Sequence, residues 1–475
     1  MSHRPRRSQL PRAVQLRANL RHCLIDGFAY CVMLGLAEMY LAKFVFALGL
    51  GPLAVGLIAT VPMVLGAASG IPGAWILRKL NSYSKFVGGM AALQAIMLLP
   101  LAAIAVAGPH IMEWARGAGV VWLITASVFA CTTLYFCGSL GGGPAWVTVT
   151  GHLFPARIRS NYFARRSRIL QAGTFGGLLA FGLIAQGVEI LFAASTTLRD
   201  SAFDPVLLAC GVSFLLAAAA RAVSAWHLSR YSEPPQSPQH QRVVTLREFT
   251  ARFSHGNEGR FILYALAGGF ALQIGHPYAN PFMLDVLRPT DGLHEWIVRT
   301  LGAQAPYTLL LAAVYAGRVC VLPAAGRLAA RAGSRRLLWI GGAGLVPLAA
   351  FWLLSDHFAF LLLFQCATGM ALAVWELGLF LMNYESIAPH ERIAMITYYT
   401  LSNEAGKTGG SLVGAGLLGW AGKDWGAYAL VFLVSAGARL VSLGLLARVR
   451  NPRLPPPPDR PDIAAAEEGE RLTVE

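Results

Sequence analysis

The stretches FLLAAAARAVSAWHLSRYSEP (residues 214–234) and FLVSAGARLVSLGLLARVRNP (residues 432–452) align without a gap at an offset of 218. Phe214, Leu215, Ala218, Ala220, Arg221, Val223, Ser224, Leu228, Arg230 and Pro234 each meet an identical residue in the second copy. Shared hydrophobicity accounts for the leucines and alanines, but not for Arg221, Ser224, Arg230 and Pro234. Two further matches follow in the same order. GAWILRKLNSYSKFVGG (73–89) aligns with GRLAARAGSRRLLWIGG (326–342), placing Gly73, Arg78, Gly88 and Gly89 over Gly326, Arg331, Gly341 and Gly342. Pro155, Thr174, Gly176 and Leu178 stand over Pro389, Thr408, Gly410 and Leu412. An offset of this size is the length of a whole domain, so the chain is a duplicated domain.

What is duplicated is a set of apolar runs. Hydrophobic residues make up 55% of the 475 residues and charged residues only 13%, with a mean hydropathy of +0.53. The charged share is about half that of a soluble domain. The runs reach the ~20 residues that a helix needs to cross a bilayer. Candidate spans are 24–48, 52–77, 86–107, 119–146, 168–194, 205–228, 261–287, 304–325, 337–354, 358–383, 402–421 and 426–447. The expected fold is an all-α membrane protein of twelve transmembrane helices in two parallel six-helix pseudo-repeats. Its parts are an N-terminal tail (1–22), a first bundle (23–228), a central loop (229–258), a second bundle (259–450) and a disordered tail (451–475).

Charge placement tests that count. The loops after spans 2, 4, 6, 8 and 10 hold Arg78, Lys79 and Lys85, then Arg157, Arg159, Arg165, Arg166 and Arg168, then a basic stretch around 230–260. Arg327, Arg331, Arg335 and Arg336 follow, then Arg392. The alternate loops carry Arg116, Arg199 with Asp200, Arg288 and Arg299 with Asp291 and Glu295, Asp356, and Lys423 with Asp424. Lys and Arg gather on the cytoplasmic side of membrane proteins. Both termini are therefore expected in the cytoplasm. The net charge of +15 reads as this topology signal, and no nucleic-acid partner is expected. Arg-heavy, Ala- and Gly-rich usage is compatible with a GC-rich bacterial genome, and a bacterial inner membrane is the expected location.

The N-terminus, with Arg4, Arg6, Arg7, Arg12, Arg17 and Arg21 ahead of a long apolar run, reads as a tail and not as a cleaved signal. The cysteines at 23, 31, 131, 137, 210, 320 and 366 show no CxxC spacing, so no disulfide, metal or cofactor is expected. In the central loop SEPPQSPQHQ reads as flexible. VTLREFTARF places Val244, Phe249 and Phe253 among charges, as in a short amphipathic helix on the cytoplasmic face.

Parallel six-helix halves related by an axis along the membrane normal describe the major facilitator transporters. The chain resembles that superfamily from about residue 22 to 450, on its helix count, duplication, long central loop and the loop motifs after spans 2 and 8. The family's loop pattern is G-x-x-x-D-R-x-G-R-R. The first copy keeps Gly73 and Arg78, with Leu77 where the pattern has Asp. The second keeps Gly326, Arg331, Gly333, Arg335 and Arg336, with Ala330 at the Asp position. The resemblance implies that this Asp belongs to a charge clamp that helps gate the halves, and both copies lack it.

A charge at the bilayer centre costs about 2.5–3.5 kcal/mol on insertion scales, so such residues mark pathways. Glu38, in the middle of span 1 with Tyr40 two residues on, is the first candidate. The resemblance places span 1 on the central cavity. Glu376 follows Trp375 deep in span 10, and Arg318 lies in span 8. Span 7 carries Gln273, His276, Tyr278 and Asn280 around Pro277 and Pro281, which break backbone bonding. Asn403 sits beside Glu404 and Lys407, which share one helix face. Structural roles compete for each: hydrogen-bond anchors for Glu38 and His276, helix packing for Glu376, snorkelling for Arg318. Asp26 reads as a helix-terminal residue, and the repeat-matched Arg221 and Arg439 as structural or lipid-headgroup contacts.

The expected function is a secondary active transporter, proton-coupled through acidic residues at depth, working as a monomer on a small-molecule substrate among membrane lipids. The alternative is a non-transporting sensor or scaffold on the same fold. No enzyme is expected, since no nucleophile–base pair or phosphate loop is present. CGSLGGGPAW (137–146) lacks the GK[ST] of a Walker loop.

Overall fold

The computed structural model describes residues 12–450 apart from 59, 196–202, 254–255, 288, 290, 302–304 and 423. The expected disorder of 451–475, the first residues of the N-terminal tail, and the side chain of Asn280 lie outside the described residues. Every regular element among the described residues is helical. Among the described residues, ten helices are long and apolar enough to cross a membrane. In chain order they are α1 (Ala13–Ala47), α2 (Gly56–Leu80), α3 (Tyr83–Val106), α4 (Val121–Leu153), α5 (Ala156–Ala194), α6 (Pro205–Leu228), α8 (Pro306–Ala332), α9 (Ser334–Leu353), α10 (Phe358–Ser386) and α12 (Trp425–Leu446). The remaining two of the twelve are α7 (Gly256–Gly275) and α11 (Arg392–Ala421).

Those two fall short for a physical reason. Pro277 and Pro281 supply no backbone N–H. Beyond Gly275 the chain of α7 passes into a 3₁₀ turn (His276–Tyr278), a short helical piece (Ala279–Pro281) and a π turn (Phe282–Val286). α11 carries Asn403, Glu404 and Lys407 within its length. The least lipid-like helices are thus two that hold polar candidates.

Several helices start earlier than their apolar runs. α5 begins at Ala156 and not at 168, and α11 at Arg392 and not at 402. Arginine is a good helix former, so an Arg-rich stretch need not be a loop. Arg166 is buried, and Arg159 and Arg392 cap neighbouring helix ends. Gly108–Gly117 and Gly292–Leu301 are further short helices, one in each half, each leaving a tryptophan (Trp114, Trp296) exposed, as interfacial tryptophans are.

Close helix crossings rest on glycine. A Cβ on Gly35 of α1 would lie 2.2 Å from the Thr174 carbonyl of α5. The second half repeats the crossing, with Gly410 and Gly414 of α11 each leaving only 2.3 Å to the carbonyls of Phe270 and Ile274. α8 meets α10 the same way, through Gly317 and Gly369. Small residues let backbones approach where lipid supplies no hydrophobic drive between helices.

The two halves join at the Arg-rich face. A Cβ on Gly326 of α8 would lie 2.5 Å from the Ala164 Cβ of α5, and one on Gly70 of α2 2.9 Å from Thr397 of α11. The central segment crosses this face. Its helix Leu246–Ala251 turns Phe249 into the protein, against Tyr398 of α11, and Val244 is buried with it. The apolar side of this amphipathic helix therefore covers the second bundle.

Candidate functional site

Glu38 sits where α1 loosens. The helix gives way at Ala37 to a 3₁₀ turn over Glu38–Tyr40. The carboxylate accepts a 2.8 Å hydrogen bond from the Tyr135 hydroxyl of α4. Tyr40 stacks on Phe181 of α5 at 3.5 Å between ring centres, and Lys43 stands over the other reach of that ring.

In the second half Arg318 of α8 and Glu376 of α10 form a two-pronged ion pair at 2.7 and 3.1 Å. The Arg318 side chain is 15% exposed and that of Glu376 44%, so the pair presents its acid to open space. On α11, Glu404 accepts from Lys407 at 2.8 Å and from Asn403 at 3.1 Å. The Glu404 charge acts on Glu38 across the halves. Gln273 of α7 is half-buried where α11 passes at Gly410, and His276 is exposed at the break of α7. Trp375 turns away from Glu376. Its indole donates to the Tyr264 hydroxyl at 2.9 Å, against Gly268 and Gly341 inside the second bundle.

The joined end is built around Tyr384 of α10. Its hydroxyl pairs with Thr150 of α4 at 2.8 Å, and its ring stacks on Phe163 of α5. Trp146 meets Phe380 beside it. Arg159 donates to the Gly151 and Phe154 carbonyls at the end of α4, and Arg392 to those of Tyr384 and Ile387 at the end of α10. Both guanidiniums also lie over the Tyr384 ring, at 4.9 and 5.5 Å. Cations at helix C-termini answer the macrodipole.

The loop motifs have a different electrostatics from the family pattern. Leu77 is fully buried core. The acids come instead from elsewhere. Glu233, just beyond α6, accepts from the backbone N–H groups of Tyr83 and Ser84 at 3.0 Å each and from the Ser82 hydroxyl, at the start of α3. In the second half Glu385 bonds the Ser334 hydroxyl at the start of α9. Each carboxylate sits on the helix N-terminus that follows its motif. Gly333 takes a positive φ of 82° at the second turn, and Asn81 takes one of 50° at the first. Gly73 packs α2 against Phe86. Arg335 reaches the Ala447 carbonyl, while Arg331 and Arg336 are exposed.

Sequence reasoning missed a buried cluster in the first half. Asp26 is 3% exposed, lies inside α1 and accepts from Tyr231 and Ser224. Arg166 and Arg221, 9% and 6% exposed, flank it. A lone Asp within an apolar run and a repeat-matched Arg were the signals available.

The sequence model of the Major Facilitator Superfamily matches residues 292–474. No curated protein matches the chain. Among solved structures, the Escherichia coli fucose:proton symporter FucP is 14% identical with a TM-score of 0.62, covering 92% of this chain and 100% of its own. The proton:xylose symporter XylE is 12% identical with a TM-score of 0.65, covering 93% and 97%. The human organic anion transporter MFSD10 is 14% identical with a TM-score of 0.59, covering 92% and 100%. At these identities the likeness is one of fold.

Proposed function

We propose that the protein is a secondary active transporter of a small solute, working by alternating access and coupled to protons: residues 292–474 match the Major Facilitator Superfamily and the whole chain has that fold. The observation that carries this reading is the pairing of two features. The halves are locked together at the Arg-rich face, while Glu38, the Arg318–Glu376 pair and the Glu404–Lys407 pair stand on facing helices at depth. A charged surface inside the membrane is costly unless water and ligand reach it.

By the positive-inside rule the Arg-rich face is cytoplasmic, and the described conformation then opens outward. A second FucP structure carries the same state in its name, "in the outward conformation". Glu38 and Glu376 are the acids proposed to exchange protons. Glu38 would trade its proton against the Tyr135 bond, and Glu376 would be released or held by Arg318 as the halves rock. The names of the structural neighbours range over sugars, a nucleoside, iron and organic anions, so they choose no substrate. Glu233 and Glu385 supply charge at both loop motifs, which favours a working gate over a scaffold that has lost one.

The test is solute flux into proteoliposomes under an imposed pH gradient. Flux that rises with the gradient and collapses in Glu38→Gln and Glu376→Gln supports the proposal. Proton coupling fails if both variants retain gradient-driven flux with its pH dependence intact. A single fixed cysteine-accessibility pattern on both faces, with and without solute, would instead favour the sensor reading.

A further inference from the structure

A cavity of about 220 Å³ opens inside the first bundle, between α1, α3, α4, α5 and α6. Its polar wall is Asp26, Arg166, Arg221 and the Tyr30–Ser139 pair, and its apolar wall includes Trp146 and Leu170. The α4 wall is the π turn Cys137–Gly141 and the glycines after it. π turns in α-helices are frequent at functional sites. The glycine-rich run that is no phosphate loop therefore has another use: it leaves room.

The charges do not balance. Two buried guanidiniums share one buried carboxylate, and the Arg166–Asp26 separation is 3.8 Å. The next acid along α1, Glu38, is not among the residues that line the cavity, and its carboxylate accepts from the Tyr135 hydroxyl. Arg221 spends its Nε on Gln94 and one Nη1 proton on Ser224, and its plane lies 4.7 Å over the Tyr30 ring. Arg166 spends its Nε on the Cys23 carbonyl and lies 4.8 Å over Trp146. A guanidinium carries five N–H donors, so each keeps donors to spare. The Gln94 amide nitrogen, buried beside them, has no partner among the described residues. An uncompensated buried charge is strongly unfavourable, and planar guanidinium forks match a carboxylate.

We propose that this cavity binds a small organic monocarboxylate, its carboxylate held by Arg221 and Arg166 and its body against Tyr30, Trp146 and Leu170. One negative charge neutralises the cluster, which selects a monoanion over a dianion. The site lies within one half, apart from the facing surfaces of the proposed transport path. Trp146 also touches Phe380 at the joined end, so an occupant shares a wall with the closure.

Thermal unfolding of the purified full-length protein tests this, with sodium benzoate as the probe, benzamide as its neutral counterpart and sodium chloride at equal ionic strength. Benzoate is expected to raise Tm saturably, and benzamide and chloride are not. Arg221→Gln should weaken the apparent affinity by about tenfold or more, as the loss of a charge-assisted hydrogen bond does. A Cβ on Gly143 meets nothing within 4 Å, so Gly143→Leu fills the cavity while every charge stays. It should abolish the benzoate effect, and it decides the matter if Arg221→Gln does not fold. No rise with benzoate, an equal rise with benzamide or chloride, or a rise that survives Gly143→Leu overturns the site. The readout is binding, so it stands or falls separately from flux.

Discussion

Tyr384 shows how much one side chain of the second half does for the first. It is buried, hydrogen-bonded to Thr150, stacked on Phe163 and covered by two guanidiniums. Tyr384→Phe keeps the ring and loses one hydrogen bond, a cost of about 1 kcal/mol. Tyr384→Ala also removes the ring, which puts the loss at about 3–5 kcal/mol. Thermal unfolding in detergent should rank Ala far below Phe, and equal effects would mean that the ring carries nothing. The Arg318–Glu376 pair belongs to the other kind of residue. With Glu376 44% exposed, its contribution to stability is about 1 kcal/mol or less. Glu376→Gln should accordingly leave Tm nearly unchanged while it alters flux. Glu38, Arg318 and Glu376 were legible in the sequence because charges inside apolar runs are rare. Tyr384, Glu233 and Glu385 were not, because a tyrosine in an apolar run and a glutamate at a helix end are ordinary until their partners are known.

At the scale of elements, glycine spacing decides which helices cross closely. Gly317→Ala would set a methyl 2.1 Å from the backbone carbonyl of Cys366, which cannot move without α10. Gly416→Ala meets nothing within 4 Å. Replacing a helical glycine with alanine favours the helix by about 1 kcal/mol. Unfolding measurements should therefore show Gly317→Ala clearly destabilised and Gly416→Ala neutral or stabilised. If both behave alike, the crossing between α8 and α10 is looser than described. Hydropathy found most helix cores but not helix ends. α5 and α11 run ten residues or more beyond their apolar stretches, because their arginines bond neighbouring helix ends and a buried acid.

At the scale of the molecule, the central segment ties the joined face. Glu391, between α10 and α11, takes hydrogen bonds from Arg252 at 2.6 Å and from Arg242. Arg252 first, and then Arg242, hold its carboxyl down to about 2 from an ordinary 4.5. Because the folded value lies below the unfolded one, the clamp contributes stability above about 4.5 and loses it as pH falls toward about 2. Glu391→Gln should lower Tm at pH 7, and the gap to the parent protein should narrow below pH ~4. A gap independent of pH would assign the loss to packing alone.

The sequence by itself determined the twelve-helix count, the twofold duplication, the candidate acids at depth and the alternation of basic loops. Each of these follows from local chemistry: helix length against bilayer thickness, the cost of a charge in lipid, and identities repeated in the same order along both halves. Only the tertiary structure decided how the matched arginines are used. Arg221 donates to Gln94 and to Ser224, which in turn bonds Asp26, around a cavity, while its repeat partner Arg439 donates to the Leu345 carbonyl. Aligned positions share a backbone site, but the residues facing them come from other helices that the repeat does not hold fixed.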